Sequence, residues 1–169
     1  MQITPEYLSK LVNFYSNKVR PDWSFDRRGT DMRNLQVLGA AKAFNLMEKR
    51  RLALLSDEVG MGKTIQALSV CAALWNQQPG ARILIFAPRD EVARNWEKEY
   101  MTFVSQHYRP QDNVVKAAIG GAPIYPMRYC QNLYELVGQV QQGWGHLFLC
   151  KISSLSSLLV ADKEIEHVT

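Results

Sequence analysis

The spacing of apolar residues changes character near residue 50. Before it, Leu8, Leu11, Val12, Tyr15 and Val19 recur at helical spacing behind Thr4-Pro5, an N-cap followed by a proline at the first helical position. A helix is therefore predicted over about 4–20, ending before Pro21. Residues 21–31 (PDWSFDRRGTD) are polar and turn-rich and read as a connector. A second helix is predicted from about Met32 to Lys49, with Leu35, Leu38, Ala41 and Met47 among its apolar positions. After it, short apolar runs at Leu52–Leu55, Ile83–Phe86, Val114–Ile119 and Leu147–Cys150 alternate with helical stretches at about 63–77, 90–105, 128–142 and 153–160. Apolar strands alternating with helices specify fold class α/β, a parallel sheet flanked by helices.

Composition narrows the class. The 169 residues are 47% hydrophobic, enough for one domain with a buried core. A net charge of +4 is compatible with nucleic acid without specifying it. Cys71, Cys130 and Cys150 are widely spaced with no CxxC pair, and His107, His146 and His167 form no ligand cluster, which argues against a disulfide scaffold or zinc site. The start lacks a signal-peptide pattern and no apolar run approaches the ~20 residues that span a bilayer. The expectation is a cytoplasmic protein with no membrane partner.

The stretch Asp57-Glu58-Val59-Gly60-Met61-Gly62-Lys63-Thr64, followed by Ile65, has the chemistry of a phosphate-binding P-loop, or Walker A element. Gly60 and Gly62 let successive backbone N–H groups turn inward toward phosphate oxygens. Lys63 supplies a point charge for the β and γ phosphates, and the Thr64 hydroxyl is a ligand for Mg²⁺. The helix predicted from Lys63 adds its positive end. The apolar run before the loop and the helix after it give the context the motif requires; the competing account is a glycine-rich turn without a ligand. The general pattern places glycine at position 57, where this chain has Asp57.

That departure matters, because DEVGMGKT resembles the P-loop of the Swi/Snf-type helicase-like ATPases of superfamily two, typically DE(M/V)G(L/M)GKT. Three further blocks match in order. Met32-Arg33-Asn34-Leu35-Gln36 followed by Gly39 is similar to the family's L-R-x-Y-Q-x-x-G element, in which the glutamine reads the adenine edge. Leu35 replaces the usual aromatic residue. Ile83–Pro88, Val92, Asn95-Trp96 and Glu99 resemble motif Ia, which makes Arg89 a candidate DNA-phosphate contact and Trp96 a packing residue. His146–Ile152 and Ser153-Ser154-Leu155 resemble the family's hydroxyl-rich turn after a strand, with Ser153 or Ser154 a helix cap or a second phosphate contact.

The resemblance covers roughly Met32 to Leu159 and implies a RecA-like ATP-binding lobe. It makes ATP and Mg²⁺ the cofactors, Arg33, Gln36, Glu58, Val59, Gly60, Met61, Gly62, Lys63, Thr64 and Ile65 the nucleotide site, and double-stranded DNA the partner. Lys63 and Thr64 are the catalytic candidates. Residues 1–31 are expected to form an N-terminal helix and connector, and 32–169 the first part of the lobe. A hydrolysing motor also needs a DEAH-like motif and a second lobe in cis. The acids Asp162, Glu164 and Glu166 lie in a charged tail with no strand before them, so the expectation is a fragment that binds nucleotide without turning it over. Met1 reads as a natural start, and a microbial source with nucleoid association is compatible. The alternatives are a nucleotide kinase, an AAA-type ATPase, or a non-catalytic interaction scaffold.

Overall fold

A computed structural model describes residues 2–56, 60, 62–117 and 123–155. The chain divides into two compact units, one of Met1–Pro79 with Glu99–Ile124 and one of Gly80–Lys98 with Tyr125–Thr169.

The first unit is helical. Helix α1 (Pro5–Leu11) starts at Thr4, whose hydroxyl accepts from the Tyr7 N–H at 3.2 Å. Helix α2 (Met32–Arg50) is capped by Asp31, which accepts from the Arg33 and Asn34 N–H groups, and helix α3 runs Lys63–Gln77. The three pack on one another around Leu8, Val37, Ala40, Phe44, Leu68, Ala72 and Trp75, so residues 1–31 are tied into the same body as α2 and α3. The face that α2 buries is rich in alanine and carries Asn34 and Gln36, whereas Leu35, Leu38 and Met47 stand outward. Small residues let α2 and α3 approach closely, and that outweighs hydrophobicity in choosing the face.

Helix α1 is much shorter than its periodicity suggests. Asn13 is fully buried, and its side chain accepts from the Tyr15 and Ser16 N–H groups and donates to the Arg20 carbonyl. A side chain that captures local backbone groups competes with the helix and turns the chain into a loop. The loop is held by Val12, bridged to Tyr108, and by the Asn13 and Asn17 N–H groups, which donate to the His107 and Gln106 carbonyls. The Arg109 guanidinium donates to the Pro21 and Trp23 carbonyls.

The second unit is a βαβ arrangement. Strands β1 (Ile83–Ala87), β2 (Arg128–Cys130) and β3 (Leu147–Lys151) are parallel in the order β1-β3-β2. Helix α4 (Asp90–Thr102) follows β1, and α5 (Leu133–Gln141) connects β2 to β3 and packs on both. Cys130, Leu136, Phe148 and Cys150 form the core, with Leu133 and Val140 against it. The central strand is buried along Leu147–Cys150, as its unbroken apolar run requires. All three cysteines are free and buried, and burial pushes the thiols of Cys71 and Cys130 up to about 12 and raises that of Cys150.

The α/β class with parallel strands and flanking helices holds, but besides α1 three elements differ from the sequence reading, and residues 156–160 of the helix expected at 153–160 lie outside the described residues. Leu52–Leu55 has no ladder partner among the described residues, and Leu52 and Leu54 are exposed. At Val114–Lys116 the chain bends, because the Asp112 carboxylate accepts from the N–H groups of all three residues and withholds them from a ladder. The stretch predicted as a helix from 128 opens instead with β2; the helix begins after Asn132, which accepts from the Glu135 N–H while Glu135 accepts from the Gln131 N–H. Among the described residues no helix is long and apolar enough to cross a membrane.

Candidate nucleotide site

The site is built where α2 passes the start of α3, inside the first unit. Gly62 is the N-cap of α3 with φ 71 and ψ 38, and Gly60 has φ 87, both in the left-handed region that glycine adopts without strain. With no side chain at the N-cap, the first N–H groups of α3 face an approach unobstructed by a capping group. Lys63, Thr64 and Ile65 form the first turn, half-buried and without an acidic neighbour in that turn. Asp57, Glu58, Val59 and Met61 lie outside the described residues.

Gln36 reaches this loop from α2. A methyl group at Gly62 would stand 2.3 Å from the Gln36 Nε2 and 3.3 Å from Cγ2 of Ile65. Glycine at 62 is therefore favoured by the backbone, and a larger residue there would displace the end of the Gln36 carboxamide. The Gln36 Oε1 accepts from the Arg33 Nη1 at 3.2 Å, so its oxygen is oriented by a guanidinium and its amide group lies at the loop. The Arg33 guanidinium in turn lies 5.6 Å from the centre of the Tyr15 ring, and that of Arg20 4.7 Å from it. Tyr15 also packs against Trp23, with ring centres 5.9 Å apart.

Arg33, Gln36, Gly62 and Ile65 are thus brought together. Tyr15 is the member that sequence reasoning missed, having placed it on the face of a helix. The signal was Asn13, a residue that favours loops, inside an otherwise apolar period. The loop carries strain: Ser16, next to Tyr15, has φ 133 and is buried. Such a conformation persists only where the surroundings impose it, and here Asn13 Oδ1 fixes the Ser16 N–H.

Arg89, Ser153 and Ser154 belong to the second unit. Arg89 follows β1 and Ser153 follows β3, and the ends of these neighbouring strands are in register at Ala87 and Lys151. Arg89 and Ser153 are exposed, whereas Ser154 is buried and donates to the Gln131 carbonyl at 2.9 Å. At the first residue of α4, next to Arg89, a polar cluster forms: Asp90 accepts from the Tyr129 hydroxyl at 2.8 Å and pairs with Lys151 at 3.2 Å. The Tyr129 bond, then Lys151, holds the Asp90 carboxyl below its usual range, and the same bond pushes Tyr129 up to about 12. Asp90, Ala93, Arg94, Glu97 and Tyr129 line a cavity of about 330 Å³ at this edge.

Comparison with known proteins agrees with the motifs. The family described as "Type III restriction enzyme, res subunit" matches residues 26–164. The chain is 31% identical over 116 residues to the CHD3-type chromatin-remodeling factor PICKLE of Arabidopsis thaliana, covering 66% of this chain and 6% of that one. It is 28% identical over 100 residues to human chromodomain-helicase-DNA-binding protein 1, covering 59% and 6%. It is 36% identical over 74 residues to the chromatin-remodeling ATPase INO80 of Pyricularia oryzae, covering 43% and 4%. The chain therefore spans under a tenth of the length of each of these relatives. No solved structure matches. The matches bear out the resemblance to the motor region of Swi/Snf-type helicase-like ATPases, a class that uses nucleotide and Mg²⁺, and favour none of the kinase, AAA-type or scaffold alternatives.

Proposed function

The chain belongs to the family of the type III restriction enzyme res subunit, and on that premise we propose that its first unit binds ATP with Mg²⁺ as part of a DNA-dependent translocase motor. The observation that carries the reading is the contact of Gln36 with Gly62, which sets a base-reading carboxamide against the phosphate loop. The residues fit the ligand. Gly62 leaves the start of α3 open to an anion, Lys63 and Thr64 stand on its first turn, and no acidic side chain of that turn opposes a phosphate. Gln36, its oxygen held by Arg33, is the group that meets the base edge, and Lys63 neutralises the terminal phosphates. Thr64 would hold Mg²⁺ together with the nucleotide, and the ion would supply charge neutralisation of the phosphates.

In the second unit, Arg89 and Ser153 occupy the C-terminal edge of a parallel sheet, where open α/β sheets bind ligands, and we assign them to DNA phosphates. In the whole protein, a second lobe completes the site and ATP drives closure on duplex DNA. Relatives named for chromatin remodelling and DNA binding support a DNA-associated location, which in a bacterial source would be the nucleoid within the cytoplasm.

The test is titration of a fluorescent ATP analogue with Mg²⁺ into the wild type and Lys63→Ala. Loss of the Lys63 charge is expected to weaken binding by about 10- to 100-fold, each factor of ten being about 1.4 kcal/mol. Equal affinities would remove the phosphate loop from the assignment. For the second unit, Arg89→Ala is expected to weaken duplex binding by the whole protein and to lower the salt slope by about one.

A further inference from the structure

Among the contacts between α2 and the start of α3, two are reciprocal, each setting a glutamine of one element over a glycine of the other. Gln36 lies on Gly62, as described above. Reciprocally, Gln66 of α3 lies on Gly39 of α2, where a methyl group would stand 2.5 Å from its Oε1. Both glutamines are buried, 3% and 2% exposed. Gln36 and Gly39 are three positions apart on α2, Gly62 and Gln66 four apart across the start of α3, so each pair shares one helix face. The contacts thus fall in sequence along one line of approach between the helices. A side chain over a glycine fixes the separation of two helices, and two such contacts running in opposite directions also fix how far one can slide along the other.

We propose that Gly39 and Gln66 are positioning residues for nucleotide specificity. Their contact sets the spacing between the Gln36 carboxamide and the first turn of α3, so that the base and its phosphate chain are accepted together at one separation. The inference rests on the reading of Gln36 as the base-contacting group. Neither Gly39 nor Gln66 touches the ligand. Selectivity follows from geometry: with the spacing fixed, a purine whose edge fits the carboxamide gains that contact while its phosphates sit on the loop. A slipped α3 holds the phosphates and loses the base contact.

The experiment measures competition by ATP, GTP and inorganic triphosphate against a fluorescent ATP analogue on the full chain. It compares the wild type, Gln36→Ala, Gly39→Ala, Gln66→Ala and the Gly39→Ala/Gln66→Ala pair, with thermal melts on each. Wild type is expected to prefer ATP, and Gln36→Ala to lose that preference. Gly39→Ala, which forces the end of Gln66 to move, is expected to cut the ATP-to-GTP ratio by about tenfold, or about 1.4 kcal/mol, with affinity for inorganic triphosphate unchanged. Truncating Gln66 in that background removes the clash and restores part of the ratio.

A folded Gly39→Ala with its ratio intact, while Gln36→Ala has lost it, overturns the proposal and leaves the base reading standing. An equal loss for triphosphate and ATP overturns it as well, since it marks general damage to the loop. No preference in wild type, or none lost in Gln36→Ala, removes the base reading and the proposal with it. Should Gly39→Ala fail to fold, Gln66→Ala alone decides: it adds no bulk, and an unchanged ratio refutes the role.

Discussion

Asn13 is expected to be the most sensitive residue of the loop that carries Tyr15. Its side chain is fully buried, donates to the Arg20 carbonyl at 2.8 Å and accepts from the Tyr15 and Ser16 N–H groups at 3.0 and 3.3 Å. Asn13→Ala deletes all three bonds. At about 1 kcal/mol net for each, with a larger cost at the Ser16 N–H because that residue is buried, the expected loss is about 3–4 kcal/mol. Part of it is recoverable. Ser16 holds φ 133, so Ser16→Gly relieves backbone strain of the order of 1–2 kcal/mol and is expected to restore about that much in the Asn13→Ala background. The assay is urea unfolding followed through Trp23, which is buried and packs against Phe14 and Tyr15, in a variant whose other tryptophans are phenylalanine. A local reporter is needed because the chain has two units, each free to show its own transition. A loss below about 0.5 kcal/mol for Asn13→Ala, or destabilisation by Ser16→Gly, would refute the claim that this network imposes the loop.

Three other outcomes follow. Burial, partly offset by the bond to the Asn13 carbonyl, holds the His107 imidazole below its ordinary value of 6.5, so the folded protein keeps it neutral where the unfolded chain takes up a proton. Stability is therefore full above pH 6.5 and falls as pH drops toward and through the lowered value, by at most about 1.4 kcal/mol per pH unit, and a series of urea melts should show that slope vanish in His107→Gln. Phe148→Ala, at 1% exposure on the central strand β3, is expected to cost about 3–5 kcal/mol, read as faster hydrogen exchange in β1 and β3 while the amides of α2 and α3 keep their rates. Ultraviolet titration of Tyr129 should give a midpoint near 12, and Asp90→Asn should return it toward 10, since the carboxylate accepts the phenolic proton.

Much of this architecture was legible because several signals were local. Thr4-Pro5 set the start of α1, the apolar run Leu147–Cys150 named the central strand, and the glycines around Lys63 set the start of α3. Three of the misreadings share one cause, a polar side chain that captured backbone groups within an apolar stretch; Leu52–Leu55, exposed at Leu52 and Leu54, is not one of them. Asn13 stopped α1, Asp112 bent Val114–Lys116, and Asn132 with Glu135 moved the start of α5 past β2. The Asn132-x-x-Glu135 pattern was visible in the sequence; the reach of Asp112 to three N–H groups depends on the folded backbone and was not. In the site, the pairing of Gln36 with Gly62 was foreseen only as common membership of a nucleotide site. Tyr15 entered through a loop whose course depends on long-range bonds to residues 106–109. Spacing along a chain cannot report contacts of that kind.

The three buried thiols make the protein its own stopwatch. Cys71 stands in the helical unit, while Cys130 and Cys150 face each other across neighbouring strands of the sheet unit. Burial keeps all three protonated at neutral pH, so an alkylating reagent can label them only at the pace at which each body opens. Mass spectrometry of timed labelling then gives separate opening rates for the two halves from one sample, with no introduced probe. If the helical unit binds ATP as proposed, added ATP is expected to slow the clock at Cys71 before any change appears at the paired cysteines, so that an inert trio of side chains tests which body the nucleotide steadies.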